Sequence, residues 1–164
     1  MIRAVVFDLD GTLIDSDRDI ARAVNVALRA LGREPLPLVR IRAMICHGAR
    51  HLLASALATD DEALISRARE AFIAHYAADP VAETVVYDGI RALLEALAAA
   101  GIATAVATNK PALVTQRIVA ALHLGLATAL ADEVPERKPD PAVLRLALAR
   151  AGVAAAPHEV AYVG

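Results

Sequence analysis

The stretch Val5-Val6-Phe7-Asp8-Leu9-Asp10-Gly11-Thr12-Leu13 decides how the chain is read. Ile2 and the run Ala4 to Phe7 are apolar with β-branched members, a pattern that suits a strand buried on both faces of a parallel sheet. Gly11 ends that pattern and leaves Asp8 and Asp10 at the strand's carboxyl end, where open α/β sheets hold their ligand crevice. Residues i and i+2 of an extended chain point to one side, so the two carboxylates converge on one small volume. Bare acids that close repel, and one stays protonated. A divalent cation or a lysine beside them removes the conflict. The backbone N–H groups around Gly11 and Thr12 are placed to face an anion. An ordinary Asp-Gly turn explains Asp10 and Gly11, but not Asp8 at the end of an apolar strand.

The whole chain sets bounds on that site. Its 164 residues suit one domain, or one domain with a small insert. Apolar residues make up 57%, much of it alanine, and the longest uncharged stretches, Ala96 to Asn109 and Ile118 to Ala131, run 14 residues. A bilayer span needs about 20. No basic segment with an apolar core precedes the first strand, so no signal peptide is expected. Cys46 is the single cysteine, which excludes an internal disulfide and favours a small buried hydrophobe in a reducing, cytoplasmic setting. A net charge of −2 gives no electrostatic case for nucleic acid or an anionic membrane.

After the acidic loop, Ser16 or Asp17 is placed to cap a helix with the stripe Ile20, Val24, Ala27, Leu28 and Leu31, ending at Gly32. Further helices are expected over about 38–45, 49–57 and from 62 towards Pro80. The block 15–82 carries no strand alternation and reads as a helical insert. The α/β pattern resumes at 83. Asp88 is placed to cap a helix carrying Ile90, Leu93, Leu94 and Leu97. A buried strand follows over 102–108, then a helix behind Pro111, a weak alanine-rich strand near 126–130, a helix behind Asp140-Pro141 and a last strand over 159–164. Alternating strands and helices predict an α/β fold, a doubly wound parallel sheet.

Three constellations besides the acids fall near strand ends. Thr108-Asn109 offers a hydroxyl and N–H groups at a helix entrance, which suits phosphate oxygens as well as it suits a plain turn capped by Asn109. Lys138, taken alone, reads as a solvated surface lysine. Arg50, in His47-Gly48-Ala49-Arg50, could clamp a carboxylate or second phosphate, or be an exposed arginine at a helix start. Asp140 reads as a helix cap. His51, His75, His123 and His158 show no metal-ligand spacing.

Asp8-Leu9-Asp10-Gly11-Thr12-Leu13 resembles the first motif of the haloacid dehalogenase-like superfamily in its phosphatase form. The likeness extends through Ile14-Asp15-Ser16, as in relatives of phosphoglycolate phosphatase. Thr108-Asn109-Lys110 is similar to the second motif, and Lys138-Pro139-Asp140-Pro141 to the third. The resemblance implies a Rossmann-like core over 1–14 and 83–164, with a mobile helical cap over 15–82. It implies Asp8 as nucleophile, Asp10 as general acid and base, and Thr108 and Lys138 as catalytic groups. It also implies that Asp8 and Asp10 bind Mg²⁺ and that Gly11, Thr12, Asn109, His47, Gly48 and Arg50 contact substrate. The expected partner is a small phosphorylated metabolite, foremost 2-phosphoglycolate. A sugar phosphate, a hexose phosphomutase reaction and a catalytically silent binding module are the alternatives. In the family a fourth, acidic motif completes the Mg²⁺ shell and begins where Gly164 stands here, so the expectation is a fragment or a shortened protein with weaker metal binding.

Overall fold

β1 (Ala4–Phe7) is buried along its whole length at the centre of the molecule. A computed structural model describes residues 1–45 and 48–164. The expectation for Cys46 therefore lies outside the described residues. Four parallel strands form the sheet, in the order β5 (Ala127–Leu130), β4 (Ala103–Thr108), β1 and β6 (Val160–Val163). β1 pairs with β4 from Ala4↔Ala103 to Phe7↔Val106, and with β6 from Ala4↔Val160 to Phe7↔Val163. The carboxyl ends of β1, β4 and β6 are thereby level, so Asp8, Thr108 and Gly164 meet at one edge. The fold is α/β with a Rossmann-like parallel sheet flanked by helices.

Alternation along the strands separates two cores. On one face Val5, Phe7 and Val106 join Val114 and Ile118 of α6 (Ala112–Ala121) in a cluster that extends into the helical segment. On the other, Val6, Ala105, Ala107 and Ala129 receive Val143 and Ala147 of α7 (Ala142–Arg150). The second core is almost all alanine and valine. Small side chains let α7 lie close to the sheet, and close packing replaces bulk as the source of dispersion contacts. This explains how the alanine-rich β5 holds: it pairs in register with β4, from Ala105↔Ala127 to Thr108↔Leu130, and α7 covers it.

Between β1 and β4 the chain makes an excursion. It leaves through β2 (Ile14–Asp15) and returns through β3 (Val85–Val86), which pair antiparallel. The sequence reading did not anticipate this ribbon, because two-residue strands are too short to show alternation. Between them lie α1 (Asp17–Ala30), α2 (Leu38–Arg42), α3 (Ala49–Leu57) and α4 (Glu62–Ala78). α1 buries Ile20, Val24, Ala27 and Leu28 as its stripe predicts, and Gly32 takes the left-handed conformation at φ +68° beyond its end. Asp61 caps α4 by accepting from the N–H groups of Ala63 and Leu64.

Two expected side-chain caps are not made. Ser16 makes no cap hydrogen bond, since its hydroxyl turns to Asp10 instead. α5 (Ile90–Ala99) begins at Gly89, not Asp88, and buries no residue fully. Asp140 does act at a helix start, its Oδ1 accepting from the N–H of Ala142 at 2.8 Å. No helix among the described residues is long and apolar enough to cross a membrane.

Asp19 ties the two ends of the excursion together. Fully buried, it accepts at Oδ2 from the N–H groups of Glu83 (3.0 Å) and Thr84 (2.8 Å) and from the Thr84 hydroxyl (2.7 Å). Arg22 donates to its Oδ1 at 3.0 Å. Asp19→Ala strands these donors and is expected to cost roughly 3 kcal/mol; a loss under about 1 kcal/mol in denaturant titration would contradict this role.

A second tie is exposed. Arg150 grips Glu133 with both terminal nitrogens, at 2.6 and 2.9 Å, joining the end of α7 to the segment after β5. That hydrogen bonding holds the Glu133 carboxyl below the usual glutamate range and Arg150 above the arginine value. A depressed acid contributes stability above its unfolded pKa, and the contribution disappears as pH falls through the folded value. Solvent screens the pair, so Glu133→Gln should cost roughly 0.5 kcal/mol at neutral pH. The difference from wild type should vanish on acidification past the ordinary glutamate range; a constant or growing difference would refute it.

Candidate active site

The leading edge of the sheet opens into a cavity of about 480 Å³. The acidic loop, the β4 end, α2 and the starts of α1 and α3 line it. Asp8 and Asp10 both face it, as do Gly11, Thr12, Thr108, Asn109 and Gly48.

Each acid of the pair is met by its own lysine. Lys138 places Nζ 2.8 Å from Asp8 Oδ1, while also donating to the Ala107 carbonyl at 2.9 Å and meeting the Tyr162 hydroxyl at 3.0 Å. The Leu9 N–H donates to the same Asp8 oxygen at 2.7 Å. Asp10 Oδ1 accepts from Lys110 Nζ at 2.8 Å and from the Ser16 hydroxyl at 2.5 Å. In both carboxylates Oδ1 is held twice, and among the described residues Oδ2 accepts no hydrogen bond. Asp8 keeps 29% of its side chain exposed and Asp10 16%, so neither is sealed from the cavity.

Lys110 is nearly inaccessible, with 3% of its side chain exposed. Burial pulls its ammonium pKa down, but Asp10 and the Tyr76 hydroxyl outweigh that and hold it above the ordinary lysine value. Burial also raises the Tyr76 phenol, with the Lys110 charge opposing. Both groups keep their protons, and Lys110 its charge, throughout the neutral range.

Asn109 and Thr108 shape the β4 end. The Asn109 side chain brackets the Lys138 peptide, accepting from its N–H at 3.2 Å and donating to its carbonyl at 3.3 Å. The loop carrying Lys138 is thus fixed to the strand that Lys138 crosses. Thr108 accepts from the Lys110 N–H at 3.1 Å. At Gly48 the backbone takes φ +82°, a conformation that favours glycine, and a Cβ would lie a tight 3.3 Å from the Asn109 carbonyl.

Other sequence expectations are placed differently. The amides of Gly11 and Thr12 do not face an anion: they donate to the carbonyls of Ile14 (2.9 Å) and Leu9 (3.3 Å), because the loop closes on itself. Arg50 points away from the cavity, pairs with Glu62, and lines a separate groove with Arg69 and Arg137. His47 lies outside the described residues. The cation that the helical segment brings to the cavity is Arg42 of α2, whose Nε pairs with Asp17 while Nη1 and Nη2 make no hydrogen bond among the described residues.

From sequence, Tyr76 and Arg42 were not singled out, and Lys110 and Ser16 were noted without the roles they take in the site. Lys110 had a signal, its place beside Thr108-Asn109 at a strand end. Arg42 had none that separated it from the other arginines of the segment. No group of three or more His, Cys, Asp or Glu side chains among the described residues forms a metal cage.

A parallel sheet that delivers two carboxylates from its first strand, each opposed by a lysine, one from the turn after β4 and one from the loop after β5, beneath a helical insert, defines a class of α/β hydrolase. The chain belongs to the haloacid dehalogenase-like hydrolases, whose family model matches residues 2–164. It is a phosphatase-type member. A phosphoglycolate phosphatase of Cereibacter sphaeroides is 43% identical over 152 residues, and one of Rhodospirillum rubrum 42% over 169. The matches cover 88% and 94% of this chain, and 70% and 69% of those relatives. A relative of the same name from Pseudomonas syringae pv. tomato, 38% identical, is covered over 59% of its length. Among solved structures, a predicted phosphoglycolate phosphatase from Haemophilus somnus superposes with TM-score 0.85 at 26% identity, over 99% of this chain and 76% of that one. CbbY from Rhodobacter sphaeroides, in complex with xylulose-1,5-bisphosphate, superposes with TM-score 0.77 at 26% identity, over 99% and 77%.

Proposed function

We propose that the protein hydrolyses 2-phosphoglycolate through an aspartyl-phosphate on Asp8. The observation that carries this reading is the pairing of Asp8 with Lys138 and of Asp10 with Lys110, which leaves one oxygen of each acid open to the same cavity. In the first step Asp8 Oδ2 forms a bond to phosphorus as the ester P–O bond breaks. The electron pair goes to the leaving oxygen, which takes a proton from Asp10 Oδ2; Asp10 acquires that proton from solvent as the charge of the phosphate enters the cavity. In the second, a water oxygen bonds to phosphorus, its proton goes to Asp10, and the Asp8–phosphorus bond breaks to restore the carboxylate. Splitting one displacement into two lowers each barrier. Lys138 and the Thr108 hydroxyl stabilise charge on the transferring group from fixed positions.

Charge arithmetic bears on the cofactor. Asp8, Asp10 and Asp17 are balanced by Lys138, Lys110 and Arg42, so the cavity is neutral before a phosphate dianion enters. A divalent cation restores the balance. The donors that fit it are hard oxygens, the Asp8 carboxylate and the Asp10 backbone carbonyl, which suits Mg²⁺ with its preference for few carboxylates and several waters. When bound, Mg²⁺ supplies positive charge to the phosphoryl oxygens. We assign residues 15–82 the role of a cap whose closure excludes water from the first step and whose opening admits it to the second.

The choice of ester rests on Arg42. Its terminal nitrogens, without a hydrogen bond among the described residues, match a carboxylate bidentately at the far end of a short substrate. A second phosphate would suit the same fork, which keeps sugar bisphosphates as the competing reading; the ligand of the CbbY neighbour is of that kind. Arg42→Met should raise KM for 2-phosphoglycolate by roughly 10- to 100-fold, the worth of a charge-assisted hydrogen-bond pair. It should change kinetics on a neutral-tailed phosphate ester by less than about threefold. Tighter wild-type kinetics on a sugar bisphosphate would transfer the assignment, and isomerised product without phosphate release would make the enzyme a mutase. Asp8→Asn should lose activity by a factor of about 10³ or more. Retained turnover in that variant, or no metal-dependent phosphate release by wild type, would reject the reading.

A further inference from the structure

Lys110 extends from the end of β4 into the seam between the sheet and α4. Its ammonium donates to Asp10 Oδ1 at 2.8 Å and to the Tyr76 hydroxyl at 2.9 Å, and sits 4.5 Å from the centre of the Tyr76 ring. Tyr76 belongs to α4, is 1% exposed, and stands edge-on to Phe72 at 5.6 Å. Phe72 in turn lines the cavity. Arg117 of α6 donates to the Ala77 carbonyl on the same turn of α4, so this is where α4 is fastened to the core.

Burying a lysine is costly, because the ammonium is compact and strongly hydrated. Neutralising Asp10 does not require it; an exposed lysine at the cavity rim would do. What burial adds is a fixed position. Lys110 and Ser16 both hold Oδ1, so the carboxylate plane is set and Oδ2 is aimed at the cavity. Lys110 itself is held in place by a hydroxyl from the helical segment.

We propose that Lys110 and Tyr76 are positioning residues for Asp10: Lys110 fixes Oδ1 so that Oδ2 exchanges the proton, and Tyr76 makes that aim depend on α4 being seated against the sheet. The acid is then correctly aimed only when the helical segment is docked, which couples proton transfer to closure of the site. This rests on the assignment of Asp10 as general acid and base.

The test is a double-mutant cycle on the full chain with 2-phosphoglycolate, using Lys110→Met, Tyr76→Phe and Asp10→Asn singly and paired. Lys110→Met should lower kcat by about 100-fold with KM within about twofold, the low end of what a positioned acid–base contributes. Tyr76→Phe, which removes one hydroxyl and keeps the ring, should lower kcat by about 10-fold with the same split. In the Asp10→Asn background each should add less than about threefold, because both act through one side chain. Losses that multiply in that background would overturn the proposal, as would a raised KM with kcat preserved, the mark of a direct substrate contact. If Lys110→Met does not fold, Tyr76→Phe carries the cycle alone. An Asp10→Asn enzyme with wild-type kcat would remove the acid–base premise itself, a failure distinct from multiplying losses.

Discussion

Each of the two acids leaving β1 is held by a lysine on one oxygen and free on the other, and the rest of the molecule serves that arrangement. Two carboxylates two residues apart on an extended strand repel each other, and positive charge brought to them relieves that repulsion. Lys138 comes from a loop fastened by Asn109, and Lys110 from the turn that Thr108 closes. Both therefore depend on β4 lying next to β1 in the observed register. Strand order here is a means of placing charge.

The helical segment completes the site from above. Arg42 brings a cation whose terminal nitrogens have no partner among the described residues, Phe72 an apolar wall, and Gly48 a close approach to Asn109 in a backbone conformation that favours glycine. The segment is joined to the sheet by a short antiparallel ribbon and by the buried carboxylate of Asp19, which stitches the first turn of α1 to residues 83–84. That carboxylate is saturated by backbone and side-chain donors, so its burial is compensated. The ribbon is short, and the shared hydrophobic core and the contacts of α4 with Lys110 and Arg117 add to it. In the proposed role of the segment as a cap, Tyr76 on Lys110 is the contact through which its movement would reach the chemistry.

Much of this was legible in the sequence, for physical reasons. The apolar run ending in Asp8 and Asp10 could only be a buried strand with its acids at the carboxyl end, and the helix–strand alternation after residue 83 fixed the sheet. Resemblance supplied the family and the lysine at 138. What stayed hidden was orientation. A buried lysine and a solvated one look alike in sequence, so Lys110, although part of the Thr108-Asn109-Lys110 motif, received no role. Ser16 looked like a cap because serine before a helix usually is one, yet its hydroxyl is drawn to the stronger acceptor, the Asp10 carboxylate. Arg50 and Arg42 were indistinguishable until the helices were seated, and only then did the first face Glu62 and the second the cavity. The ribbon of β2 and β3 was too short to leave a periodic trace.

The proposed nucleophile, Asp8 through its unheld oxygen, is open to one direct measurement. The Asp10→Asn variant, which slows removal of the phosphoryl group, is mixed with substrate and Mg²⁺, quenched in acid within a turnover, digested and analysed by mass spectrometry. A phosphoryl group on the peptide that contains Asp8, at that residue, is the predicted result. Turnover with no phosphorylated peptide, or a phosphoryl group carried by any other residue, would contradict the account.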